Sequence, residues 1–219
     1  MNVTPFHPRQ ALEDHSWVSA GMNRITLRNQ FDSLASVPGS AEPALKRHRG
    51  QQFEELLKRL LEADGLSPHI RVRPDGEEID GSFLLNDRAF LLEAKWHADP
   101  LPASAIYQFK CKVDGKLVGT LGVFISVSGF STDAVEALIV GKAMNVVIFD
   151  RRDIEAAIDR PDGFRTVLLA KLRMAAEEGT VYWPFRSVRT TPEPSEIRAT
   201  KGGEQDAHDT AGRDLHSVG

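Results

Sequence analysis

The sequence predicts an α/β or mixed α+β domain around one sheet. Helical and strand-like patterns succeed each other along the chain, Asn86-Asp87 separates two apolar strand-like runs, and the β-branched runs GVFISVS and NVVIFD flank a helical stretch. The order read is helix, three strands, helix, strand, helix, strand, helices. The chain has 219 residues, 41% hydrophobic and 26% charged. That is an ordinary soluble composition, with length enough for a core without cross-links.

Within residues 1–46, NRITLRNQFDSLAS reads as a short helix and VPGSAEP as a linker, by its Pro, Gly and Ser. These residues are assigned to an N-terminal extension. LKRHRGQQFEELLKRLLEADGL places Phe53, Leu56, Leu57, Leu60 and Leu61 at helical spacing, with a stop near Gly65. HIRVRP alternates as a strand does, and a hairpin follows it. LPASAIYQFKCKVDGK is helical, VGTLGVFISVS is a strand, and STDAVEALIVGKA is a helix opened by a capping cluster. NVVIFD is a buried strand. RRDIEAAI and GFRTVLLAKLRMAAEEG are helices, the second closed by Gly179, and TVYWPF is expected to add one more strand. The domain is assigned to residues 47–185. Residues 186–219 are polar, nearly charge-balanced and almost without aromatics, which predicts a disordered tail.

Composition narrows the function. A single cysteine, Cys111, excludes an internal disulfide framework and a cysteine-based zinc cage. Neither a secretory leader nor a membrane span is read, so a cytoplasmic protein is expected. The net charge of −4 argues against a cationic coat for nucleic acid, while leaving room for a local basic face.

The chemistry concentrates in EEIDGSFLLNDRAFLLEAKW, Glu77 to Trp96. If Asn86-Asp87 is a two-residue turn, Leu85 faces Arg88, Leu84 faces Ala89, and the count brings Asp80 opposite Glu93. Two carboxylates would then face each other on one side of the sheet, with Lys95 two residues further on the same side. A divalent cation would relieve their repulsion. Asp80, Glu93 and the Ala94 carbonyl would hold Mg²⁺, a hard cation that takes oxygen ligands. Lys95 would orient water or stabilise charge on a phosphate. The same three residues also read as a surface salt bridge, and spacing alone does not choose between the two. A one-residue slip would part the carboxylates.

Asp80 followed on a second strand by Glu93-Ala94-Lys95 resembles the PD-(D/E)xK nuclease superfamily, with Ile79 where the name has proline. Within it the chain is similar to the Mrr-type restriction endonuclease domain. GQQFEELLKRLLEADGL resembles the opening helix with its Phe53-Glu54 pair, EIDGSF the aspartate strand, LLEAKW the acid-x-lysine strand, and GVFISVSGFSTDAVEALIVGKAMNVVIFDRRDIEAAI the later strand, helix and closing strand. The resemblance covers about residues 47–160. It implies a restriction-endonuclease-like fold, a central mixed β-sheet flanked by helices. It also implies that Glu54 enters the site as a metal or water ligand and that Gln108 matches a polar active-site position. Mrr-type domains usually carry Gln where this chain has Glu93; a carboxylate binds metal better than an amide.

The reading that follows is a Mg²⁺-dependent endonuclease acting on DNA, with Mn²⁺ as substitute, of bacterial origin and with a restriction or anti-phage role implied by the resemblance. A homodimer or a specificity or sensor partner is expected, because the first 46 residues are too few for a usual DNA-reading domain. Lys110 and Lys112 are the candidate phosphate contacts, with Lys116 beside them and the LKRHRG cluster as a second basic stretch. His97, Trp17, Tyr182, Trp183 and Cys111 read as incidental or packing residues. The alternatives are a catalytically weak nucleic-acid-binding or regulatory subunit of the same fold, and an RNA or repair nuclease.

Overall fold

The computed structural model describes residues 16–72, 79–139, 144–161 and 163–185. The expected polar tail lies outside them. Five strands form one sheet in the order β1 (His69–Val72), β2 (Ile79–Leu85), β3 (Arg88–Lys95), β4 (Leu121–Ser126) and β5 (Val146–Phe149). The pairs β1–β2 and β2–β3 are antiparallel, whereas β3–β4 and β4–β5 are parallel. The mixed sheet expected from the sequence is therefore present, and β3 is the strand at which its direction changes. Every residue of β5, and every residue of β4 after Leu121, is buried, as parallel strands covered on both faces are.

Helices cover both faces. On one lie α1 (Ser16–Ala35), α2 (Pro43–Ala63), α5 (Arg151–Asp159) and α6 (Gly163–Glu178), which share a core with Phe83, Phe90, Leu92 and Phe149. On the other, α3 (Ala103–Asp114) and α4 (Thr132–Ile139) pack on Leu91, Phe124 and Ile148. Helix α2 buries Phe53, Leu56, Leu57, Leu60 and Leu61, the stripe read from spacing. It opens with Pro43 in its first turn, where a missing N–H costs nothing, and it is followed by Gly65 at φ 70°. Two other glycines are demanded by close approach. A Cβ on Gly122 would meet Phe109 at 2.7 Å, so α3 lies hard against β4; one on Gly163 would meet the Ala157 carbonyl at 2.1 Å.

Two expectations change. The helix read as short within the first 46 residues has 20 residues, and its Leu27, Phe31 and Leu34 belong to the core. Its Arg24 donates to the Ala157 carbonyl and pairs with Asp64, whose other carboxylate oxygen accepts the Phe164 and Arg165 N–H groups at the start of α6. TVYWPF forms no strand. Its polar atoms serve a buried ion pair instead: Lys171 Nζ lies 2.7 Å from Asp153 Oδ2 and donates to the Trp183 carbonyl, while Phe185 N–H donates to Asp153 Oδ1. Tyr182 donates to Asp150, the N-cap of α5. Among the described residues no helix is long and apolar enough to cross a membrane.

Candidate active site

The hairpin has the register counted from the sequence. Asn86 and Asp87 sit at φ 49° and 60°, the positive angles a type I′ turn needs. The ladder runs from Leu85↔Arg88 through Phe83↔Phe90 to Gly81↔Leu92. One step further the Asp80 carboxylate takes the place of a backbone acceptor: its Oδ2 receives the Ala94 N–H at 2.8 Å. Leu91 packs toward α3, so alternation turns Glu93 and Lys95 to that same face.

There the charges converge. Lys95 Nζ lies 2.7 Å from Glu93 Oε1 and 3.3 Å from Asp80 Oδ2. From α3, Lys112 Nζ reaches Glu93 Oε2 at 3.0 Å. The Asp80 and Glu93 side chains are 12% and 10% exposed, against 33% for Lys95 and 24% for Lys112. The acids are thus sunk into the sheet and the lysines close over them. Burial, and then the neighbouring charge of Glu93, pushes the Asp80 carboxyl above the usual aspartate range. Burial pulls Lys95 down, but the charges of Asp80 and Glu93 and its bonds to them outweigh that and hold it above the ordinary lysine value.

On the other side of β3 the Val127 N–H donates to the Lys95 carbonyl at 3.1 Å. Successive carbonyls alternate along a strand, so the Ala94 carbonyl is directed to the Asp80 side. Asp80, Glu93 and this carbonyl make an all-oxygen donor set with two like charges in close company, which suits a hard divalent cation. Among the described residues no three His, Cys, Asp or Glu side chains gather at metal-holding distance. Any cation would rest on two carboxylates, backbone and water.

Beside the group opens a cleft of about 630 Å³, lined by Lys46, Arg47, Glu54, Ala94, Lys95 and His97 among others. The structure therefore brings Glu54, half-buried on α2, to the same cleft as Lys95. It does not bring Gln108, which is exposed on α3 and does not line the cleft. Nor does it present Lys110 to a ligand. That side chain is 9% exposed and donates to Asp114 at 3.0 Å and Asn145 at 2.8 Å, tying α3 to the start of β5. In the LKRHRG stretch Arg49 is likewise structural: it donates to the Trp96 and Val37 carbonyls and stacks over the Trp96 ring. A second cavity, about 640 Å³, lies by Leu85, Asn86 and Val146 at the turn end of the sheet, and among the described residues no carboxylate lines it.

The contact between Lys112 and Glu93 is what sequence reasoning missed. Lys112 follows Gln108 by four residues, one helical turn, and extending the Gln108 argument along that face would have found it.

This mixed sheet, with acids and a lysine at the end of its central strand, defines a restriction-endonuclease-like nuclease domain. Residues 45–158, over half of the chain, match the restriction endonuclease family Mrr_cat, and the chain belongs to that family. Nuclease domains of this family generally use divalent metals. No curated protein matches the chain. Solved structures with distant likeness include a repair endonuclease from Pyrococcus abyssi, at 19% identity over 50% of this chain and 47% of that one, TM-score 0.36. MspJI restriction endonuclease in complex with a 27-mer oligonucleotide matches at 13% over 85% and 42%, TM-score 0.36. The small subunit of the heterodimeric restriction endonuclease R.BspD6I matches at 14% over 69% and 94%, TM-score 0.42. The chain spans under half the length of the first two.

Proposed function

We propose that the domain is a divalent-metal-dependent endonuclease that hydrolyses phosphodiester bonds in DNA, with Mg²⁺ as the natural ion and Mn²⁺ as a substitute. The observation that carries this reading is the convergence of Asp80 and Glu93 on one Lys95 ammonium, at 3.3 and 2.7 Å, beside an open cleft. Two largely covered acids in such company are electrostatically costly, and the cost is accounted for if a cation is to be received there.

Asp80, Glu93 and the Ala94 carbonyl would hold the ion, with Glu54 on the cleft wall as a partner for its water. When bound, it would polarise the phosphate and make water a better nucleophile. Lys95, held protonated by its two acids, is placed to donate hydrogen bonds to a phosphate oxygen or to the attacking water as negative charge builds. Asp80 keeps the end of β3 in register through the Ala94 N–H, so that Glu93 and Lys95 stay on one face. Lys46, Arg47 and His97 line the approach and are suited to contact flanking phosphates. A restriction or anti-phage role, and a second copy or specificity partner, complete the proposal.

The test is incubation of supercoiled plasmid with the full chain and Mg²⁺, with and without EDTA, against Glu93→Ala and Lys95→Ala. Nicking by the wild type that both EDTA and the substitutions abolish is expected. Equal nicking by all three proteins would refute the assigned site. Cleavage of RNA in place of DNA would move the substrate, and inertness toward both would favour the binding-subunit alternative.

A further inference from the structure

The β3–β4 ladder ends at Lys95↔Ser126, so the lysine of the site is also the last residue of its strand that the sheet holds. Strand ends open more readily than strand centres. Past the ladder, one backbone bond and one side chain take over. The Val127 N–H donates to the Lys95 carbonyl at 3.1 Å, and Arg49, reaching across from α2, donates to the Trp96 carbonyl at 2.9 Å. The same guanidinium donates to the Val37 carbonyl at 3.2 Å and lies 5.2 Å from the centre of the Trp96 ring. That ring packs into the core on the face opposite Lys95, with Phe31 of α1 and Phe53 of α2 at centroid distances of 5.3 and 5.0 Å. Arg49 is buried, and among the described residues its partners are two carbonyls and a ring, with no carboxylate; its Nε–H meets no acceptor. Taking a guanidinium out of water without an acid beside it costs stability. What it secures is the position of the Trp96 peptide.

We infer that Arg49 is a positioning residue for Lys95. By fixing the carbonyl and the ring of the next residue, it sets where β3 ends, and hence where the Lys95 ammonium stands relative to Glu93 and Asp80. This rests on the nuclease reading of the site and adds to it a part for the N-terminal segment. Helix α1 supplies Phe31, and the turn after it supplies the Val37 carbonyl, so residues read from the sequence as an extension brace the end of the strand that carries the chemistry. Arg49 also borders the cleft, but each of its Nη atoms already donates to a carbonyl. It acts through Trp96, and its loss is to be read in the rate of the reaction and not in the affinity for substrate.

The test compares the full chain as wild type, Arg49→Lys and Arg49→Met, all assayed well below the lowest of their melting temperatures. Lysine keeps the charge but lacks the planar fork that spans the two carbonyls and stacks on the indole. Single-turnover cleavage of a labelled duplex with Mg²⁺ is expected to slow about tenfold or more in both variants, since a misplacement of about 1 Å can cost about 100-fold. The duplex Kd, from anisotropy with Ca²⁺ to limit cleavage, is expected to change less than about threefold. Hydrogen exchange followed by NMR gives a readout free of activity. The Val127 amide, whose acceptor is the Lys95 carbonyl, is expected to exchange about tenfold or more faster in both variants, with the protected amides of β5 unchanged. If Arg49→Met does not fold, Arg49→Lys carries the test alone. A wild-type rate, or wild-type exchange at Val127, in Arg49→Lys overturns the inference. So does a duplex affinity that falls as far as the rate, which would make Arg49 a substrate contact, and so does faster exchange throughout the sheet, which would make its role one of general stability. Failure of the nuclease reading looks different: the wild type cleaves nothing, or Lys95→Ala cleaves as well as the wild type, whatever the Val127 amide does.

Discussion

The pair Asp153–Lys171 beneath residues 181–185 and the group Asp80–Glu93–Lys95 at the end of β3 both take charges out of water, on opposite terms. In the first, one acid meets one base, with side chains 0% and 1% exposed. The remaining hydrogen-bonding positions are filled by the Trp183 carbonyl and the Asp150 and Phe185 N–H groups, and the ammonium stacks over Phe149. In the second, two acids share a lysine that is one-third exposed, next to a cleft. A matched, fully bonded pair is a fastening. A group with its acids crowded and its bases only partly covered is what the proposed metal site would require.

Breaking the fastening gives the largest effect. Asp153→Ala leaves Lys171 charged and unpaired in the core, and urea denaturation is expected to show a loss of about 3–5 kcal/mol. The corresponding cut at β3 inverts the balance. Glu93→Ala is expected to lower plasmid cleavage at least about 100-fold, while the unfolding free energy moves by within about 1 kcal/mol, because Lys95 is one-third exposed and keeps Asp80 as its partner. Loss of stability comparable to that of Asp153→Ala would erase the distinction.

Lys110 sharpens the contrast within one helix. Lys110→Met is expected to cost about 1–2 kcal/mol through the lost bonds to Asp114 and Asn145, and to leave duplex affinity in an anisotropy titration unchanged. The smallest effect concerns pH. Folding raises the Asp80 carboxyl, so the folded chain binds a proton more readily than the unfolded one. Stability therefore falls as pH climbs from the ordinary aspartate range through the raised value. Asp64 and Asp153 are raised by burial too, so the comparison that isolates Asp80 is wild type against Asp80→Asn. The variant is expected to show a flatter decline and a higher Tm at neutral pH, with cleavage abolished. An unchanged Tm profile would count against the crowding of the two acids.

The site was legible because its geometry is local. Asn86-Asp87 sets the turn, and alternation on either side does the rest, so Asp80, Glu93 and Lys95 were brought together on paper. What escaped depends on partners distant in sequence. Lys110 reads as a solvated basic residue until Asn145 is seen to cover it. Tyr182 and Trp183 look like strand formers, but the demand of Asp153 and Lys171 for hydrogen bonds outweighs that propensity. Arg24 gives α1 a polar mark amid its apolar stripe, and only Asp64 and the Ala157 carbonyl explain its burial.

The two-residue turn has a further consequence, in the arithmetic of length. From Arg88 to Glu93 the strand works as a tally in which odd and even positions belong to different faces. Adding one residue among Ala89–Leu92 would either bulge the strand or send Glu93 to the α2 side, away from Asp80; adding two would restore its side but move it past its partner. The hairpin can therefore exchange side chains far more easily than it can change its count, and the position of the two carboxylates is inherited as a number as much as a pair of residues.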